Sequence, residues 1–316
     1  MRVPTVDATR LGDRLHVGCG EGSMNKKIAA VGLAILVVGD IGLGYLAIRH
    51  VAPDAPNVSA SPTEAFGVAQ SSEALRGHPS TLLAVGDDGV ILRASTGDCS
   101  SSKSSSAAEV EVSTDDGATF TTARKDIPQV LRVEAVSQTD LRFVDADGRC
   151  SPGTQRSSDI GASWTRATGS KGAWHLSPGI NDVVVHAPKG SVDAGCVPVS
   201  VAAVNAKTAY IGCNDGRTRF TRDGGKEWKD LTAIDGLVGL TFSDRSTGFA
   251  LAKTPDCAAA ILASTDAGKS WDRTACLKGD HPKAIASNAA SGRMIAQVDN
   301  KVRYSDDNGA TWTSAA

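Results

Sequence analysis

Ser264-Thr265-Asp266-Ala267-Gly268-Lys269-Ser270-Trp271 is one of five copies of an eight-residue unit, Ser/Thr-x-Asp-x-Gly-x-x-Trp/Phe, in a chain of 316 residues. The other copies occupy 113–120, 157–164, 221–228 and 305–312. Their marked positions are Ser113, Asp115, Gly117, Phe120; Ser157, Asp159, Gly161, Trp164; Thr221, Asp223, Gly225, Trp228; Ser264, Asp266, Gly268, Trp271; and Ser305, Asp307, Gly309, Trp312. Glycine at the fifth place supplies a positive φ, and the Asp carboxylate can accept bonds from N–H groups further along the turn. Strand-like runs precede the units, as at 109–112, 260–263 and 301–304. Each unit therefore reads as a hairpin turn, and the chain around it as all-β.

These residues resemble the Asp-box, or BNR, repeat of sialidases, sortilin-type receptors, some glycan hydrolases and photosystem II assembly-factor-like propellers. The resemblance covers residues of roughly 80–316. It implies a β-propeller in which the box joins the third and fourth strands of a blade and its aromatic packs between blades. The five Asp residues are then structural. Intervals between successive boxes are 44, 64, 43 and 41 residues, the length of a four-stranded blade except for the second. That surplus of about 20 residues, within 167–193, reads as an inserted loop, because so few residues cannot supply four strands. Five blades are favoured, with six the alternative. Inner hairpins are expected at 82–85 with 90–93, 131–136 with 141–144, 197–204 with 209–212, 237–242 with 248–252, and 284–286 with 294–297. Residues 65–69 are expected to pair beside the last strand, closing the ring and removing its edges.

Upstream, residues 28–48 read IAAVGLAILVVGDIGLGYLAI, with Asp40 the single charge. This is long enough to cross a hydrocarbon core of ~30 Å. Lys26 and Lys27 precede it and an acidic, Pro-rich stretch follows, so the N-terminus is expected in the cytoplasm. The organisation expected is a tail or over-extended start at 1–23, one transmembrane signal anchor at 24–50, a linker at 51–64 and an extracytoplasmic β-propeller at 65–316. Cleavage after Val58-Ser59-Ala60 is the competing reading, but it lies far beyond the apolar run.

Cys19 falls on the cytoplasmic side, leaving six cysteines in an oxidising compartment. Cys257 lies seven residues before Ser264 and Cys276 five after Trp271, so they sit almost opposite across that hairpin. Cys196 and Cys213 flank the hairpin turning near Ala206, and Cys99 with Cys150 pair by elimination. A metal site would need closely spaced Cys or His pairs, and no C-x₂₋₄-C occurs. No metal and no cofactor are expected.

A formal charge of −2 offers no basic field for nucleic acid. The sialidase resemblance implies an arginine triad, a Tyr/Glu pair and an acidic residue. The only Arg-x-Pro element near that pattern, Arg2-Val3-Pro4, precedes the apolar segment, and only Tyr210 and Tyr304 fall within 65–316. No G-x-S-x-G turn exists and no catalytic residue is assigned. Trp174, His175 and His186 form an exposed-looking cluster in the long insertion, a candidate binding surface. The expectation is a non-catalytic scaffold or binding module for a membrane-proximal protein partner. A glycan-binding or glycoside-hydrolase ectodomain is the alternative.

Overall fold

The computed structural model describes residues 79–101, 107–168, 172–179 and 181–315. The tail 1–23, the anchor 24–50, the linker 51–64 and the closing strand expected at 65–69 lie outside the described residues. Among the described residues there is no helix, and so none long and apolar enough to cross a membrane.

Six sheets follow one another along the chain, each strand hydrogen-bonded antiparallel to the next. Blade 1 contains β1 (Thr81–Val85), β2 (Ile91–Ser95), β3 (Ala108–Ser113) and β4 (Thr121–Ile127). Blade 2 contains β5 (Gln129–Ser137), β6 (Asp140–Ala146), β7 (Pro152–Ser157) and β8 (Thr165–Thr168). Blade 3 has three strands, β9 (His175–Leu176), β10 (Val184–Ala187) and β11 (Gly190–Asp193). Blade 4 contains β12 (Pro198–Ala203), β13 (Ala209–Cys213), β14 (Thr218–Thr221) and β15 (Lys229–Asp230). Blade 5 contains β16 (Leu237–Phe242), β17 (Gly248–Thr254), β18 (Cys257–Ser264) and β19 (Asp272–Cys276). Blade 6 contains β20 (Pro282–Ser287), β21 (Met294–Val298), β22 (Lys301–Ser305) and β23 (Thr313–Ser314).

The preference for five blades is thus overturned, and the inserted loop with it. Three strands of two to four residues need far less chain than four full strands. After β11 the backbone passes through Ala194, Gly195, Cys196 and Val197 straight into β12, with no fourth strand and hence no box. A count of boxes therefore misses this blade.

First strands of successive blades pack side by side, β1 on β5, β5 on β9, β9 on β12, β12 on β16, β16 on β20, and β20 back on β1. Cores form at the seams between blades. Phe249, Leu251 and Ile261 of blade 5, for example, meet Ile285, Met294 and Ala296 of blade 6. Second strands such as β13 and β21 are buried at every residue because a blade covers each face, which is why they read as near-continuous apolar runs, broken in β21 only by Gln297. At the closing seam Val85 and Ile91 of blade 1 pack with Ala286, Ile295 and Val302 of blade 6. Burial of such apolar area stabilises by roughly 25 cal/mol per Å².

Candidate functional site

The five boxes share one geometry. The first hydroxyl donates to the Asp carboxylate, at 2.7 Å from Ser113 to Asp115 and 2.9 Å from Ser264 to Asp266. That same oxygen accepts the glycine N–H four residues on, at 2.8–3.0 Å in all five. The carboxylate also accepts the N–H of the seventh residue. In four boxes that residue is Thr119, Ser163, Ser270 or Thr311, whose hydroxyl donates as well. These donors hold the carboxyls of Asp115, Asp159, Asp266 and Asp307 down to about 2. In the fourth-blade box Glu227 offers only its N–H, and the Asp223 carboxyl is lowered chiefly by that bond.

Each box glycine also faces the blade before it. A Cβ built on Gly117 would lie 2.8 Å from Val302 of blade 6, on Gly161 2.9 Å from Ala123 of blade 1, and on Gly225 2.7 Å from Val192 of blade 3. Gly268 meets Leu231 of blade 4 at 3.0 Å and Gly309 meets Phe249 of blade 5 at 3.8 Å. The positive φ of 81–89° favours glycine in all five, and in the first four boxes the close approach requires it as well. Blade 3, lacking a box, presents no such glycine to blade 2.

The first strands enclose a central channel with a cavity of about 360 Å³. Its wall is mixed, with aliphatic side chains such as Leu82, Val201 and Val238 interleaved with polar ones such as Ser200, Thr241 and Ser287. Arg132, Glu134 and Lys283 are the charged side chains in that lining. Glu134 is an ion-pair partner of Arg132 at 3.3 Å and of Arg142 at 3.9 Å. A second cavity of about 400 Å³ lies between β5–β7 of blade 2 and Gly172–Trp174 and Ala203–Ala206, sharing Arg132, Glu134 and Trp174 with the channel.

Trp174 and His175 are buried, contrary to the exposed loop expected. They open blade 3. The indole of Trp174 packs edge-on to Trp228, with centroids 6.1 Å apart, and donates to the Asn205 carbonyl at 3.0 Å. Arg132 Nη1 donates to the Trp174 carbonyl at 2.7 Å. His175 stacks on half-buried His186, centroids 4.5 Å apart and planes 7° apart. Burial pushes the His175 imidazole down to about 4 and lowers His186 too.

Residues 303–314, which span the last box, match the family model for the BNR/Asp-box repeat. The chain is a six-bladed β-propeller that carries this repeat. Among solved structures, YCF48 from Cyanidioschyzon merolae is 15% identical, over 75% of this chain and 85% of that one, with a TM-score of 0.40. YCF48 bound to D1 peptide is 18% identical over 74% of this chain, with a TM-score of 0.30. The GH74 xyloglucanase from Xanthomonas campestris is 17% identical over 74% of this chain, with a TM-score of 0.34. The chain spans 66% of YCF48 in its peptide complex and 38% of the xyloglucanase. No curated protein matches it in sequence.

Three disulfides staple the propeller, Cys99–Cys150, Cys196–Cys213 and Cys257–Cys276, with Cα atoms 5.3, 5.9 and 5.9 Å apart. The first joins the loop after β2 of blade 1 to the β6–β7 turn of blade 2. The ladder sets Ala260 opposite Cys276, three residues from Cys257, and the bulge at Ile261/Leu262 accounts for one of those three. What sequence reasoning missed is the channel's polar set. Arg132 and Glu134 stand two apart on a strand, a pattern that signals a shared face but not which face.

Proposed function

We propose that this propeller is a non-catalytic binding module, held close to a membrane by the apolar segment 28–48, and that its channel receives a segment of a membrane-proximal protein. The observation that carries this reading is the channel lining. Its single carboxylate, Glu134, is already paired with Arg132, whereas retaining or inverting glycosidases use two carboxyls about 5 to 9.5 Å apart. Three disulfides favour an oxidising compartment outside the cytoplasm. A linker of fourteen residues averages only about 20 Å as a flexible coil, which keeps partners near the membrane surface.

A photo-crosslinker replacing Lys283 in the channel lining should capture a membrane-proximal protein, while the same group replacing exposed Asp230 on β15 should not. Turnover of sialosides or xyloglucan by the full chain, abolished by Glu134→Gln, would overturn the reading in favour of a glycoside hydrolase.

A further inference from the structure

The first strand of blade 3 is the weakest piece of the channel wall. β9 is held to β10 by two ladder pairs, Leu176 with Val185 and His175 with His186. The second pair is the stacked imidazole pair. We propose that His175 and His186 form an acid-opened latch: proton uptake below neutral pH releases β9 from β10 and opens the channel wall between blades 2 and 4.

The charges around the pair set its direction. β5 presents Arg132 and Glu134, the loop before β10 carries Asp182, the turn after it Lys189, and β11 carries Asp193. β12, packed on the other side of β9, has no titratable side chain. Neutral imidazoles stack well, and His175 Nδ1 donates to the Leu176 carbonyl at 2.8 Å. Two imidazolium ions 4.5 Å apart repel, and the Arg132 guanidinium, fixed to the Trp174 carbonyl beside them, adds a third positive charge. Burial holds the closed-state pKa of His175 at about 4, against an ordinary value near 6.5 once exposed to water. Between those values the open strand binds more protons than the closed one, so opening grows as pH falls. The box carboxyls that lie at about 2 stay ionised there, and their turns keep their bonds. The latch does not depend on what the channel binds.

Backbone hydrogen exchange of the full chain, read at pH 7.5 and pH 4.5 and corrected for intrinsic rates, tests it. Protection over 174–187 should fall at least 10-fold relative to 248–264 in blade 5. The double variant His175→Phe/His186→Phe keeps two stacked rings that cannot titrate, and should make the two pH values equivalent. Protection that is unchanged at pH 4.5, or lost equally in blade 5, overturns the proposal. Imidazole C2–H exchange on the unaltered chain gives a reading independent of any variant. A His175 titrating below pH 6 supports the latch, and one titrating at 6.5 or above refutes it.

Discussion

Arg293 of the last blade reaches Asp116 of the first, its Nη1 2.9 Å from the carboxylate. The same guanidinium holds Asp306 at 2.8 Å and lies 5.1 Å from the Tyr304 ring centre. Asn288 adds to this seam by donating to the Val85 carbonyl and the Asp87 carboxylate. Within the described residues the ring thus closes by side chains across two complete sheets. Because Arg293 is largely buried, with 15% of its side chain exposed, it contributes more than a surface pair. Arg293→Ala should cost about 2 kcal/mol and lower Tm by roughly 4 °C, measured by thermal denaturation. An unchanged Tm would show that apolar packing alone closes the ring.

Gly224 and Gly225 are adjacent and both have positive φ, 84° and 88°, yet they should respond differently to alanine. Ala267 occupies the place equivalent to Gly224 at φ 68°, and a Cβ on Gly224 meets only a carbonyl at 3.9 Å. Gly224→Ala should cost under about 1 kcal/mol. A Cβ on Gly225 meets Val192 at 2.7 Å, so Gly225→Ala adds overpacking to strain and should cost about 2 to 4 kcal/mol. Equal chemical denaturation midpoints for the two variants would refute the assignment.

The box carboxyls have folded pKa values of about 2, below the ordinary 3.8. A depressed carboxyl contributes stability that is complete above its unfolded value and lost as pH falls through the folded one. The boxes' contribution should therefore be level above about pH 5 and disappear between roughly pH 4 and 2. Asp223 lacks the side-chain hydroxyl that the other four accept from the seventh position. Glu227→Thr supplies it and should shift the Asp223 titration to lower pH in carboxyl-resolved NMR; no shift would show that the added hydroxyl does not reach the carboxylate.

Cys99–Cys150 closes a separation of 51 residues and Cys196–Cys213 one of 17. In the loop-entropy account their removal costs about 4 and about 3 kcal/mol. Double serine variants compared by urea denaturation should rank in that order, and the reverse order would show that native-state packing outweighs chain entropy here.

Much of this architecture is written locally. A box declares itself because a left-handed glycine, a turn-capping carboxylate and an aromatic must all fall within eight residues. Hairpins such as 237–242 with 248–252 follow from apolar runs and the polar turn Asp244–Ser246 between them. Blade 3 is illegible for the complementary reason. Pro178, Gly179, Pro188 and Gly190 punctuate it so closely that strands of two to four residues cannot show alternation, and its third strand leads into no box. Trp174 and His175 looked like loop residues for that reason, although tertiary packing buries them. The channel could not be read either, since which residues face an axis depends on six separate segments meeting around it.

Glycine contacts across the seams run in one rotational sense, each box leaning on the blade before it, and only the junction of blades 2 and 3 goes without one. That junction also holds the second cavity and the smaller apolar cluster of Leu131, Val144, Ala146 and Ala173 with the Cys99–Cys150 bridge. This seam is bridged instead by the Arg132 bond to the Trp174 carbonyl and by the short contact of β5 with β9, so a ring built of six blades carries one joint of a different make.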